Sequence, residues 1–363
     1  MNLALTELRR QPTRFAVATV VLTFLSVLLL FLGGLLDGLY LGSTGAVRAQ
    51  NADAIVYSAD ARDSFLRSRI DADLRAMVES APGVTDVGGI GFVLLGAKVP
   101  GETKLADVAV AGYEIPPKGV PAPPPSGSGW ADSRLESFGV GKGDVLLVGP
   151  AETPITIAGF VDDTNFLLQG GVWVDLPTWR QTQNANRPDA FVADDIVQAL
   201  VIRGSGDLPT AVDAATGDAT ATLTREAAVL ALPGVKEQRA TFNQIIYSTL
   251  VVVLAIVGLF FSLLTLERTG LYGVLKAIGA SSRRLFAGVV VQAVVVALIA
   301  FTIGSVFVLA LSAVLPAELP LQLTPGRFVF TAAGLIVAAI VGSAISLRRV
   351  TRIDPASAIG SAT

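Results

Sequence analysis

FAVATVVLTFLSVLLLFLGGLL, residues 15–36, runs for 22 residues without a charged side chain. A helix of about 20 such residues crosses about 30 Å of hydrocarbon. Three more runs share this character: 244–266, 285–315 and 328–347. The third is long enough to tilt or to extend past the bilayer. Arg9, Arg10 and Arg14 precede the first run, as they would in a signal peptide. Its apolar stretch exceeds the roughly 7–15 residues of such a peptide, and no small-x-small cleavage site follows. It reads as a retained membrane helix.

Whole-chain composition agrees. Of 363 residues, 52% are hydrophobic and 16% charged, with mean hydropathy +0.62. Soluble domains run near 25% charged. Cys and His are absent, and Met stands only at Met1 and Met77. That excludes disulfides, Cys/His zinc sites, Ser–His–Asp catalysis and His or Cys ligation of haem iron.

Lys and Arg placement sets the orientation. Arg9, Arg10 and Arg14 lie before the first run. Arg268, Lys276, Arg283 and Arg284 lie between the second and third, and Arg348, Arg349 and Arg352 after the fourth. Only Arg327 lies between the third and fourth. The segment 1–14, the connection 267–284 and the tail 348–363 are therefore expected in the cytoplasm. The 316–327 loop and the whole of 37–243 are expected outside. Residues 37–243 hold 26 Asp/Glu against 16 Lys/Arg, so a net charge of −3 conceals a strong division across the membrane.

Residues 37–243 mix helical and strand-like patterns, an α+β domain inserted in a four-helix membrane protein. Asp71–Ser80 reads as an amphipathic helix ending at Ala81-Pro82-Gly83, with a strand over 84–87. A second helix over 224–232 ends at Leu232-Pro233-Gly234 and leads to Val235. Helix, Pro-Gly-Val and strand, twice over, suggests two related halves. Strands are expected over 145–148, 155–160 and 172–176. The Pro/Gly/Ser-rich stretch 115–129 reads as a loop.

Signs of catalysis are scarce. Asp162-Asp163 and Asp194-Asp195 are adjacent carboxylates, which a strand sends to opposite faces. Glu152, Asp162, Asp163 and Asp175 offer oxygen ligands without EF-hand spacing. Gly139–Asp144 (GVGKGD) lacks the G-x-x-x-x-G-K-[ST] spacing of a phosphate loop. Small residues at every fourth position mark two helix faces, Gly34, Gly38 and Gly42 on the first helix and Gly334, Ala338 and Gly342 on the fourth. Such faces let helices approach closely, within one chain or between two copies.

Between the second and third membrane runs stands ERTGLYGVLKAIGAS, residues 267–281. Leu271, Val274, Leu275 and Ile278 fall at helical spacing and Gly279 makes a plausible stop. A short amphipathic helix of this kind lies either in a partner's groove or on lipid. The run resembles the coupling-helix region of MacB/FtsX-type ABC transporter permeases. Arg352-Ile353-Asp354-Pro355-Ala356 is similar to their C-terminal signature, and one helix, a large outer domain and three helices is their topology. LALTELRRQPTRF near the start and GFVDDTNF with VWVDLPTW further on look like the DevC/haem-exporter branch.

The resemblance implies a transport permease in the cell membrane that hydrolyses no ATP itself. Two copies of a cytoplasmic ATPase, carrying ATP and Mg²⁺, would dock on two copies of this chain. Glu267, Arg268, Leu271, Gly273, Val274, Leu275 and Lys276 would form the contact. The first small-residue face would serve the dimer. The substrate would be lipophilic or amphiphilic, taken outward, with haem as the leading candidate; lipid is the other expected contact, and nucleic acid is not expected. An alternative is a transmitter that moves the outer domain to activate an extracellular partner. No cofactor is expected within this chain. If haem is the cargo, groups near the outer ends of helices one and two are the candidates to meet it: Asp37, Tyr40, Asn243, Gln244 and Tyr247 at the iron, with Arg48 and Arg239 at the propionates. Tyr40 and Tyr247 equally suit an interfacial aromatic belt.

Overall fold

The computed structural model describes residues 12–267, 274, 278, 281–316 and 319–350. The chain divides into two compact units, Leu39–Arg239 and the membrane helices on either side of it in sequence.

In chain order, α1 (Pro12–Arg48) leads to β1 (Ala54–Ser58), α2 (Ala72–Glu79), β2 (Val84–Lys98), β3 (Ala106–Tyr113) and β4 (Ser128–Asp132). There follow β5 (Val145–Val148), β6 (Thr153–Val161), β7 (Gly170–Asp175), α3 (Leu176–Asn186), β8 (Ala199–Gly204), α4 (Leu208–Ala215), β9 (Thr220–Thr224) and α5 (Arg225–Ala231). Among the described residues three long helices follow: α6 (Val235–Glu267), α7 (Ser282–Ser312) and α8 (Pro325–Val350).

The globular unit is one nine-stranded sheet in the order β3-β7-β4-β6-β5-β2-β8-β1-β9. A further β2–β3 pairing closes six of those strands into a ring. The 15-residue β2 makes this possible. Its first half pairs with β8, Ile90–Ala97 pairs with β3, and Ala97 and Lys98 meet β5. Thr153, Ile155, Ile157, Gly159 and Val161 of β6 are buried while the residues between them are not, the period of two that strand geometry demands. Asp71, Asp175 and Thr224 cap α2, α3 and α5 by accepting from the backbone N–H of the third residue on.

Tight packing sits where glycines let side chains in. A Cβ at Gly91 would stand 2.2 Å from Trp179 Cζ2, and one at Gly112 would stand 2.5 Å from Trp179 Cβ. Trp179 therefore lies flat across two adjacent strands. Around Phe65, Phe92, Phe166 and Trp173 runs a chain of ring contacts, Phe92 and Phe166 stacked at 4.2 Å and the others edge-on.

The two-halves expectation is overturned at Val235. Gly234 turns the chain with φ +79°, as Gly83 does with φ +87°, but Val235 then opens α6 instead of a strand. The residues that follow it, Lys236, Glu237, Gln238, Arg239 and Ala240, are strong helix formers with no β-branched member. After Gly83, by contrast, Val84, Thr85 and Val87 favour the extended chain.

In the other unit, α1, α6, α7 and α8 each contain a span apolar and long enough to cross a membrane. Only 28–33% of each apolar window is buried. Phe24, Val251, Leu259 and Val329 are exposed, an apolar outer surface that suits hydrocarbon or another apolar helix face. The buried side carries Leu22, Leu29, Val253, Val257, Phe261, Ala293, Ala297, Leu335 and Ala339.

The small-residue faces are filled by the chain itself. A Cβ at Gly38 would fall 1.9 Å from the Pro320 carbonyl oxygen, and Gly34 accepts from the Gln322 N–H at 3.0 Å. Gly342 lies against Gly258 and Leu254 of α6, and Gly334 against Leu250. The assignment of the first face to a dimer contact therefore gives way, at Gly34 and Gly38, to the segment that enters α8. Close backbone approach is what the glycines permit; the nearest backbone is the chain's own.

Candidate functional site

The residues singled out at the ends of helices one and two are divided between the two units. Tyr40, Arg48 and Arg239 come together in the globular unit, where the Arg48 and Arg239 guanidiniums stand 5.9 and 5.8 Å from the Tyr40 ring centroid. They line a cavity of about 390 Å³ with Lys118, Arg225 and Glu226, walled on one side by Val229 and Leu230. Arg48 is held by two partners, Asp163 at 2.5 Å and the Thr44 hydroxyl at 3.0 Å. Arg225 donates to Glu226 at 2.8 Å. That hydrogen bond, with smaller help from nearby Lys118, holds the Glu226 carboxyl below the usual range.

The loop 115–127 supplies Lys118 and is firmly placed. Its Lys118 N–H donates to the Ala49 carbonyl at 2.7 Å, the Tyr113 hydroxyl to Pro121 at 2.7 Å, and the Trp130 indole to Ala122 at 3.2 Å. Proline-rich composition signalled a loop. It carried no signal that the loop returns to the end of α1, so Lys118 could not be placed beside Tyr40 from sequence.

Asp37 has a different role. Arg327 and Thr324 occupy both of its carboxylate oxygens, so it fastens α1 to the start of α8 within the helical unit. Gln244 lines a groove on α1 and α6 of about 510 Å³, with Leu25, Leu28, Ile245, Ser248 and Val252. Leu25 and Leu28 come from α1, while α6 supplies hydroxyls and an amide interleaved with Ile245 and Val252. Asn243 and Tyr247 line neither cavity; Tyr247 is 58% exposed.

The other acidic candidates are engaged separately. Asp163 pairs with Arg48, Glu152 with Lys98, Asp162 accepts from Ser133, and Asp175 caps α3. Among the described residues no group of three carboxylates could hold a metal ion. In GVGKGD, the Gly141 N–H donates to Asp144 at 2.7 Å, which makes the stretch a side-chain-closed turn. Of the coupling residues, Glu267 ends α6 and Val274 is exposed; Arg268, Leu271, Gly273, Leu275 and Lys276 lie outside the described residues, as does the 352–356 signature.

Residues 243–355 match the FtsX-like permease C-terminal family. Along its whole length the chain is similar to an uncharacterized ABC transporter permease of Mycobacterium tuberculosis H37Rv, 29% identical over 98% of each protein. It is also similar to a Staphylococcus epidermidis protein named as the hemin transport system permease HrtB, 21% identical over 99% of each. Among solved structures, the periplasmic region of MacB from Actinobacillus actinomycetemcomitans aligns with 50% of this chain and 92% of its own, at 9% identity and TM-score 0.35.

Proposed function

We propose that this chain is an ABC transporter permease of the FtsX/MacB family and that it exports a lipophilic or amphiphilic substrate, with haem as the first candidate. A permease of this kind works with a cytoplasmic ATPase. The 267–281 stretch is proposed as its docking helix, in a complex of two permeases and two ATPases, with both termini of this chain in the cytoplasm and the Leu39–Arg239 unit outside.

The observation that carries the substrate class is the groove on α1 and α6. Leu25, Leu28, Ile245 and Val252 offer an apolar surface, while Thr241, Gln244, Ser248 and Thr249 offer hydrogen bonds along the same cleft. A body that carries both apolar surface and polar groups suits that lining. Haem has this character, and a relative over the whole length bears a name for its transport. With no His or Cys in the chain and neither Met1 nor Met77 in the groove, a protein ligand to the iron there would be a side-chain oxygen.

The test is co-reconstitution with the cognate ATPase in proteoliposomes and measurement of haemin-stimulated ATP hydrolysis and haemin movement. Stimulation with outward movement supports the reading. A flat ATPase rate with haemin and a response to another amphiphile would remove haem and keep the exporter.

The second reading, force transmission to an extracellular partner, is favoured by helix length. The 37 residues of α1 and 33 of α6 span about 55 and 50 Å, well beyond about 30 Å of hydrocarbon. Unbroken helices of that length suit transmission of a push. ATPase stimulation by a secreted protein, with no lipophile moving, would select this reading.

A further inference from the structure

The cavity beside Tyr40 is cationic in a domain that is otherwise acidic. Residues 37–243 carry ten more acids than bases, yet this one cavity is lined by Arg48, Lys118, Arg225 and Arg239 against the single carboxylate of Glu226. Asp163 neutralises Arg48 and Glu226 neutralises Arg225. Two positive charges remain. Among the described residues, neither the Lys118 ammonium nor the Arg239 guanidinium is bonded to a carboxylate. What holds Arg239 is the face of Tyr40, which a second guanidinium, Arg48, also uses. A ring attracts cations without neutralising them, so the cluster keeps its mutual repulsion until an anion enters.

We infer that this cavity binds the phosphate head group of an anionic lipid. A phosphate monoester carries close to two negative charges on three oxygens near neutral pH, which matches the two uncompensated cations. Arg239 offers a planar fork of donors and Lys118 a point charge, the two ways proteins grip phosphate. The volume, about 390 Å³, accommodates a head group. Val229 and Leu230 give the wall an aliphatic part, and Leu230 is 40% exposed. Inorganic phosphate has no use for that wall; the glycerol and first methylenes of a lipid do. Tyr40 stands four residues beyond the uninterrupted apolar run of α1, so the chain itself brings this residue to the vicinity of lipid.

The experiment is native mass spectrometry of the full-length protein released from neutral detergent, titrated with phosphatidic acid, with diacylglycerol of the same chains, or with inorganic phosphate. Wild type is expected to retain phosphatidic acid and to lose it as ionic strength rises. Lys118→Gln with Arg239→Gln should weaken retention at least about tenfold. Lys118→Arg with Arg239→Lys, which keeps both charges, should restore most of it, and this distinguishes lost charge from lost folding. Competition by inorganic phosphate would confirm the same oxyanion site and add the free ion as a second source. Equal retention of diacylglycerol, or phosphatidic acid bound equally by wild type and the Gln double variant, would overturn the inference.

Discussion

Arg327 grips Asp37 through two parallel hydrogen bonds, Nε to one carboxylate oxygen at 3.2 Å and Nη2 to the other at 2.5 Å. Their side chains are only 14% and 20% exposed, and Thr324 adds a third donor to the same carboxylate. A Cβ at Gly33 would strike the Arg327 stem at 2.3 Å, so the glycine is what lets the arginine lie along α1. Removal of either partner leaves the other charge poorly solvated. Asp37→Ala and Arg327→Ala should each cost about 2–4 kcal/mol. A double-mutant cycle on thermal unfolding in detergent should give a coupling of about 1.5–3 kcal/mol. Additive losses would show that the pair does not fasten these helices.

Tyr57 is fully buried in the globular unit, its hydroxyl without a hydrogen-bond partner among the described residues, and its ring lies edge-on to Phe65 at 5.0 Å. Burial, with a smaller contribution from the charge of Asp63, pushes its phenol far above the usual value. Tyr113 is shifted the same way by burial alone. Folded phenols therefore stay protonated where unfolded ones ionise. Stability from these two groups is complete below about pH 10 and falls as pH rises beyond it. Tyr57→Phe should leave stability at pH 7 unchanged or raise it by about 1 kcal/mol, and should flatten the alkaline decline. Melting curves at pH 7 and 10.5 decide; a loss above 1 kcal/mol at pH 7 would mean that the hydroxyl has a partner.

Gly91→Ala places a methyl group into the fully buried Trp179 ring. The expected loss is about 1–3 kcal/mol. Gly101→Ala, at an open position but with φ +81°, separates backbone strain from overpacking. Denaturant midpoints compare them, with tryptophan emission read in a Trp130→Phe, Trp173→Phe background so that it follows Trp179. A red shift in Gly91→Ala alone marks displacement of that ring.

Ser248→Trp should fill the groove on α1 and α6. If the groove receives substrate, ATPase stimulation falls at least about tenfold while basal hydrolysis and complex assembly stay intact. Full stimulation in this variant would place the substrate elsewhere.

Leu275→Glu should uncouple the permease from its ATPase through loss of an apolar contact in the proposed docking groove. The expected result is reduced co-purification, or retained ATPase binding with no substrate response. Normal co-purification together with normal stimulation would remove residues 267–281 from that role.

Membrane insertion and the α+β insert were legible because each rests on one-dimensional quantities. Hydrocarbon thickness sets a length, and residues 15–36 meet it without help from any neighbour. Strand burial follows a period of two, and the strand expected over 155–160 lies within β6, where Ile155 and Ile157 are buried. Asp71 and Thr224 cap helices through bonds only three residues long.

Long-range pairing was not legible. Nothing local in Val84–Lys98 tells that one strand serves β8, β3 and β5 and so closes a ring. Val235 followed the same Pro-Gly signal as Val84 and took the opposite structure, because the helix-forming residues after it outweighed the turn before it. The glycines at 34 and 38 announced close approach, and only the folded chain shows that Pro320 and Gln322 are what approaches. Tyr40, Arg48 and Arg239 were singled out from their places at the ends of two helices. Lys118, more than 60 residues from any of them, reaches the same cavity only because backbone hydrogen bonds return its loop to Ala49. Contacts within a turn of chain are governed by covalent geometry. Those across the fold depend on which surfaces remain to be covered once each element has formed, and that is a property of the whole.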